Sequence, residues 1–312
     1  MNALAIVFEE PRKLALCELT LNDPTPDDVV VDIEWSGIST GTEKLLWSGR
    51  MPPFPGMGYP LVPGYESIGR IVEAGPASGR RVGDQVFVPG ANCYREARGL
   101  FGGASSRVVL AGRKTTPIAT HLGERAILLA LAATAYHAVS PETRKAPELI
   151  IGHGVLGRLI ARIVVAGGGA TTVWETNPTR QPGGEGYAVL HPDEDPRRDY
   201  NRICDVSGDA ELLDSLIMRL ARGGEVLLAG FYDQRLSFAF PAAFMREAQI
   251  RISAEWSPHD LAAVERMVAD GRLSLDGLIT HTSRPSDYEH AYTSAFTDPA
   301  CLKMVLDWRQ AA

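Results

Sequence analysis

The rhythm of apolar and polar positions divides the chain. In its first part, apolar residues fall into short β-rich runs, Val29-Val30-Val31, Ile68-Gly69-Arg70-Ile71-Val72 and Arg107-Val108-Val109-Leu110, set among many Gly and Pro. Short runs bounded by turn formers predict an irregular, mostly antiparallel β domain, with turns at Gly75 and Gly83-Asp84. Met1 to Pro11 carries Glu9 and Glu10 and reads as a first strand, lacking the basic flank and apolar centre of a signal peptide.

From His121 the period lengthens. His121 to Val139 is rich in Ala and Leu and predicts a long helix ending before Pro141. Strands are then expected at Leu149-Ile150-Ile151, Thr171 to Trp174, Ala188-Val189-Leu190, Arg202 to Val206 and Glu225 to Leu228. Helices fit between them at Arg158 to Val165 and at Glu211 to Ala221, the latter stopped by Gly223-Gly224. Such alternation means a parallel sheet with helices on both faces. Gln181 to Gly186 is Gly-rich and polar and reads as a mobile surface loop. Gln249 to Ala254 looks like the last strand of this sheet, and Ser257-Pro258 starts a helix running through Val268. A helix near Asp287 to Ala295 and a strand at Leu302 to Leu306 predict a tail that packs back on the first domain. The expected fold is therefore α/β: a β-rich domain over 1–125, a Rossmann doubly wound parallel sheet over 126–275, and a return segment over 276–312.

Composition narrows the functions on offer. A net charge of −7 disfavours nucleic acid or an anionic membrane surface as the main partner. No apolar run approaches the ~20 residues that span a bilayer, so no transmembrane segment is expected. The cysteines, Cys17, Cys93, Cys204 and Cys301, lie far apart with no CxxC pair, which points to reduced thiols in a cytoplasmic setting. The histidines show no HxH or HExxH spacing, so no metal is announced.

The most informative stretch is Gly152-His153-Gly154-Val155-Leu156-Gly157. It is a GxGxxG turn placed directly after a short apolar strand and directly before a helix. Gly152 permits the tight turn, Gly154 lets backbone approach a pyrophosphate, and Gly157 lets the helix pack close to the strand. Glu175 ends the next strand, where a carboxylate can accept the ribose hydroxyls of NAD and repel the 2′-phosphate of NADP. Arg180 works the other way, able to neutralise a phosphate if its loop folds back. NAD is the expected cofactor. His153 reads either as a solvent-facing residue of the turn or as a contact to pyrophosphate or substrate. Gly230-Phe231-Tyr232 follows a parallel strand at the carboxyl edge, where ligands bind.

Read with Pro63-Gly64-Tyr65-Glu66, Val82-Gly83-Asp84-Gln85-Val86, Phe101 to Ser106 and Leu278-Ile279-Thr280-His281, this order of parts resembles the medium-chain dehydrogenase/reductase family. The resemblance covers essentially the whole chain. It implies a GroES-like catalytic domain ahead of the nucleotide domain, hydride transfer to a nicotinamide, and commonly a homodimer. It also implies a departure. Tyr65 stands where zinc-dependent members carry a histidine ligand, Ser39 or Thr40 where they carry a cysteine, and Ala130 at a third ligand position. The lobe that holds a structural zinc is reduced to Cys93. Zinc needs three or four converging N, S or O ligands, so the resemblance is to a zinc-independent branch. Pro63 to Gly69, Phe87 to Tyr94 and Gly99 to Ser106 narrow it to a branch acting in bacteriochlorophyll biosynthesis. The implied substrate is then a chlorin, a bacteriochlorophyllide whose 3-(1-hydroxyethyl) group is oxidised to 3-acetyl.

Without zinc, something else must take or stabilise the hydroxyl proton of a secondary alcohol. Tyr65 is the first candidate, as a base beside a cationic nicotinamide or else as a packing residue. Glu66 either orients Tyr65 and accepts the proton or is a structural carboxylate. Ser39, Thr40 and Thr42 either pass a proton through hydroxyls or bond local backbone. His137 reads as a satisfied core histidine. Trp47, Met51, Phe54 and Met57 form either an apolar wall for a macrocycle or local core. Two rival functions stand beside the dehydrogenase: an NADPH-dependent quinone or enone reductase of the same fold, and a non-catalytic nucleotide- or pigment-binding protein.

Overall fold

The computed structural model describes residues 1–139 and 145–310. Pro141, expected to end the long helix, lies outside the described residues. The chain forms two compact units, Met1–Ala130 with Asp276–Ala312, and Leu131–Leu275.

The first unit is built on antiparallel strands. β1 (Asn2–Glu10) and β2 (Lys13–Thr20) form a hairpin. β3 (Asp28–Ile38) is the spine, with Val29, Val30, Val31, Ile33 and Ile38 buried. A short helix, α1 (Thr42–Ser48), follows it, then β4 (Ser67–Ala74), β5 (Gln85–Val88), β6 (Arg107–Ala111) and the two-residue β7 (Thr116–Pro117). Both β4 and β6 pair with β3, which is bulged between Val30 and Val31 and between Ile33 and Trp35. Those bulges re-aim the end of β3 that leads into Ser39.

The single helix expected over His121 to Val139 is instead two segments. Thr120–Leu128 is a tighter 3₁₀ stretch interrupted at Gly123, whose φ of 54° and ψ of −137° are not helical, and α2 (Leu129–Val139) follows. Glycine adopts that conformation without a Cβ penalty and is a poor helix former, so the Ala/Leu pattern could not carry the helix across it.

The second unit alternates strand and helix: β8 (Leu149–Ile151), α3 (Val155–Ala166), β9 (Thr172–Trp174), β10 (Ala188–Leu190), β11 (Tyr200–Asp205), α4 (Leu213–Ile217), β12 (Leu220–Leu228), α5 (Phe240–Arg246), β13 (Gln249–Ile252) and α6 (Pro258–Ala269). All strand pairs are parallel, in the order β10-β9-β8-β11-β12-β13. Counted from β8, this is the 3-2-1-4-5-6 order of a doubly wound dinucleotide fold. The order reverses between β8 and β11, whose carboxyl ends border the crevice where such sheets bind ligands. α6 begins with a reciprocal cap, Ser257 accepting from the Asp260 amide and Asp260 from the Ser257 amide. The helix expected over Glu211 to Ala221 is shorter: α4 ends at Ile217, and Leu220 opens β12 by pairing with Tyr200. Leu220 is fully buried, and its place in the sheet overrides helical propensity.

The last segment supplies β14 (His281–Ser283), α7 (Tyr288–Thr297) and β15 (Met304–Asp307) to the first unit. β15 pairs antiparallel with β3 and parallel with β14. Among the described residues, no helix is long and apolar enough to cross a membrane.

Candidate active site

The turn between β8 and α3 has the geometry its glycines require. Gly152 has φ of 100°, a conformation that L side chains rarely adopt. A Cβ on Gly157 would collide with the Gly152 carbonyl oxygen, so only glycine lets α3 start this close to the strand. A Cβ on Gly154 would meet no atom of the described residues within 4 Å. Gly154 caps α3, which continues with Val155, Leu156 and Gly157. The first amides of a helix have no intrahelical acceptor, and with the helix dipole they suit a phosphate in that open space. The turn fits a dinucleotide pyrophosphate.

Glu175 follows β9 and is nearly buried. Its Oε2 accepts the His153 amide at 3.0 Å and its Oε1 the Asn177 amide at 2.8 Å. The Glu175 carboxylate is thereby tied to the glycine turn itself. Gly230 and Phe231 lie just past β12. The Gly230 amide donates to the Asp205 carbonyl at 3.1 Å, and Phe231 is exposed. Asp205, at the carboxyl end of β11, accepts from Ser207 and from the Tyr232 hydroxyl, the latter at 2.9 Å, and burial raises its pKa.

His153 is not the solvent-facing residue that one of its two readings expected. The residue is fully buried. Its Nδ1 lies 2.7 Å from the Arg180 carbonyl and must donate there, so Nε2 is the acceptor for the Tyr187 hydroxyl at 2.9 Å. Burial, aided by the Arg158 charge and opposed by the Arg180 carbonyl, pulls its pKa down to about 4, and the ring is neutral. Arg180 enters through its backbone, its carbonyl also accepting from Arg158 Nη2 at 2.9 Å. The segment Gln181 to Gly186, expected to be a mobile surface loop, is tied down by Arg158, which also donates to the carbonyls of Pro182 and Gly183.

In the first unit, Tyr65 donates to Ser39 Oγ at 2.8 Å, and Thr42 adds a hydrogen bond to the same phenol. The Tyr65 ring packs edge-on against Phe101. Of the two residues considered for the cysteine position, Ser39 is the one joined to Tyr65; Thr40 is exposed. Burial, reinforced by the Glu66 charge, pushes the Tyr65 phenol well above the ordinary tyrosine value. That direction opposes a base near neutrality and keeps the hydroxyl a donor.

Glu66 does not orient Tyr65 by a hydrogen bond. It is fully buried and ion-paired with Lys303, itself 2% exposed at its side chain. A Cβ on Gly37 would press to 2.6 Å from Glu66 Oε2, so glycine lets β3 pass over the pair. Glu43, in α1, lies in the same pocket. Its Oε1 accepts the Ser39 amide at 3.2 Å, and the buried Tyr292 hydroxyl also bears on the carboxyl. Burial raises the Glu43 pKa to about 8; the Ser39 amide and Lys303 lower it and Glu66 raises it. Lys303 balances only one of two buried carboxyls, so the second keeps its proton.

Neither Glu43 nor Lys303 was singled out from the sequence. The signal was there for Lys303, a lone cation in Leu302 to Leu306, since a lysine in a buried apolar run needs a partner. Trp47 packs on Phe296, Met51 is buried and Met57 borders the same core, so these are local core. His137 is only partly buried, its Nδ1 2.9 Å from Asp260 Oδ2.

A phenol at Tyr65, a hydroxyl at Ser39 and a methyl at Ala130 do not make a zinc donor set. Among the described residues, no group of three or more His, Cys, Asp or Glu side chains is arranged to hold a metal ion.

Residues 25–120 match the alcohol dehydrogenase GroES-like domain family. The chain is 54% identical over 313 residues to the 2-desacetyl-2-hydroxyethyl bacteriochlorophyllide A dehydrogenase of Rhodobacter capsulatus, covering 100% of both chains. It is 53% identical to the Cereibacter sphaeroides protein of that name, again over 100% of both. Among solved structures, 2R,3R-butanediol dehydrogenase from Bacillus subtilis superposes with a TM-score of 0.84 at 19% identity, over 98% of this chain and 99% of that one. Two further structures of this fold carry NADH in one case and NADP in the other.

Proposed function

Because the chain belongs to the medium-chain dehydrogenase/reductase family, and within it to the 2-desacetyl-2-hydroxyethyl bacteriochlorophyllide A dehydrogenases, we propose that it oxidises the hydroxyethyl group of a bacteriochlorophyllide to acetyl, with NAD and without zinc. The full-length identity to those dehydrogenases is the single observation that carries the substrate. The chain is an oxidoreductase using a nicotinamide cofactor.

Gly152, Gly154, Val155, Leu156 and Gly157 would hold the cofactor pyrophosphate, and Glu175 the ribose hydroxyls. The choice of NAD rests on the Glu175 carboxylate, which opposes a 2′-phosphate. Bound there, the nicotinamide supplies the hydride acceptor. The protein's own task is the other half of the reaction, orienting the carbinol and moving its proton. In this reading the substrate hydroxyl donates to the Tyr65 oxygen and Tyr65 donates to Ser39 Oγ. As the hydride leaves, the carbinol proton passes to Tyr65, the Tyr65 proton to the Ser39 hydroxyl, and the Ser39 proton to water, with Thr42 holding the phenol in line. Glu66 and Glu43 act beneath them: the Glu66–Lys303 pair anchors the Tyr65 backbone, and neutral Glu43 holds the Ser39 amide. Thr40, exposed, is the weakest member of the set.

The exposed apolar side chains Phe240, Phe244, Met245 and Ile252 of the second unit support the homodimer that this architecture implies. Free thiols at all four cysteines suit a reducing cytoplasm. The test is an anaerobic incubation of the hydroxyethyl chlorin with NAD or with NADP, followed by mass spectrometry of the pigment. Loss of two hydrogens matched by NADH formation supports the reading. Turnover with NADP alone contradicts the cofactor, and NADH binding with no turnover of any alcohol favours a binding protein.

A further inference from the structure

Five residues after His153, Arg158 sits on the first turn of α3 with its side chain buried in a cage of carbonyls. Its Nε donates to the His153 carbonyl at 3.0 Å, and its Nη2 to the carbonyls of Arg180 at 2.9 Å and Pro182 at 2.8 Å. Nη1 reaches the Gly183 carbonyl at 3.4 Å. Of these acceptors, His153 belongs to the phosphate turn and the rest to the loop after Glu175. The loop is pinned a second time by the His153 ring, which holds the Arg180 carbonyl and the Tyr187 hydroxyl. Glu175 in turn holds the His153 amide. Turn, carboxylate, arginine and loop form one closed network.

A 2′-phosphate at this place needs an arginine with free N–H donors. Arg158 is linked to Glu175 through the His153 backbone, whose carbonyl it holds and whose amide Glu175 holds, and four of its five N–H donors go to backbone carbonyls. We propose that Arg158, His153 and Tyr187 form a latch that selects against NADP, by confining the arginine that would otherwise pair with the 2′-phosphate. The proposal rests on the NAD reading above, and it adds to the Glu175 carboxylate a second determinant of cofactor choice. Opening the latch frees Arg158 and lets the loop move off the ribose position.

The experiment is a pair of dissociation constants, NADH and NADPH, measured by fluorescence titration on the full-length protein. Tyr187→Phe removes one pin with little change of shape; His153→Phe in the same chain removes the rest of the ring's hydrogen bonding. The expected result is that the preference for NADH falls by about tenfold, the size of one charge-assisted hydrogen bond. Adding Arg158→Leu should restore the preference. The ratio is the readout, since a merely structural loss weakens both cofactors alike. An unchanged ratio in Tyr187→Phe and in the double variant overturns the latch, as does a lowered ratio that survives Arg158→Leu. A wild-type protein that prefers NADPH overturns the NAD reading itself, and the latch with it.

Discussion

Replacing Glu43 with glutamine keeps its shape and removes its titration, which isolates the electrostatics of the buried pocket under Tyr65. The Glu43 carboxyl is raised from an ordinary 4.5 to about 8, chiefly by burial. A group whose native pKa lies above its unfolded value binds more protons when folded, so stability falls as pH rises. The contribution is fully present below the unfolded value and is lost by about pH 8. Across that window each pH unit costs ~1.4 kcal/mol, and the whole span is of order 5 kcal/mol. His153 runs the opposite way, its stabilisation lost as pH falls through the interval from 6.5 toward about 4, but it is common to both proteins and cancels. Urea denaturation of wild type and Glu43→Gln at about pH 5.5 and about pH 7.5 should show Gln gaining ~3 kcal/mol on Glu between the two conditions. Parallel stability curves would refute the reasoning, because they would mean that Glu43 does not hold a proton in the native state.

Lys303→Met leaves Glu66 buried and unpaired and should cost ~3–5 kcal/mol in the same denaturation assay, with Glu66→Leu alongside it recovering much of the loss. Tyr65→Phe should lower kcat on the order of 10²-fold by removing the donor to Ser39, while the dissociation constant for NADH, measured by fluorescence, stays unchanged. Gly157→Ala should weaken NADH binding about tenfold or more in a calorimetric titration, because the new methyl forces α3 away from the Gly152 carbonyl.

Much of the second unit was legible because its signals are local. Three parallel apolar residues, a glycine turn with fixed spacing and a carboxylate after the next strand each carry their own geometry, and Ser257-Pro258 announced its helix by capping alone. What failed was whatever depended on partners distant in sequence. His153 looked like a variable turn residue because nothing local says that Tyr187 and the Arg180 carbonyl close over it. Arg158 reads as one of two cations, with Arg162, on an otherwise apolar helix, and only the loop carbonyls reveal why it is buried. Glu66 was seen, with a structural carboxylate as one of its two readings, but its partner Lys303 was not, since that residue is supplied by the strand that returns at the far end of the chain. The helix over His121 to Val139 failed for the opposite reason: a single local residue, Gly123, outweighed the regional composition.

The central claim is zinc-free oxidation of a chlorin alcohol at a tyrosine–serine pair. Its most direct test is the anaerobic absorbance assay on protein dialysed against chelator, with zinc content measured on the same sample. The account predicts that the red band of the hydroxyethyl bacteriochlorophyllide shifts as NADH forms in equal amount, at a rate unchanged by stripping or by added zinc. A reaction that stops on chelation and returns with zinc would contradict it.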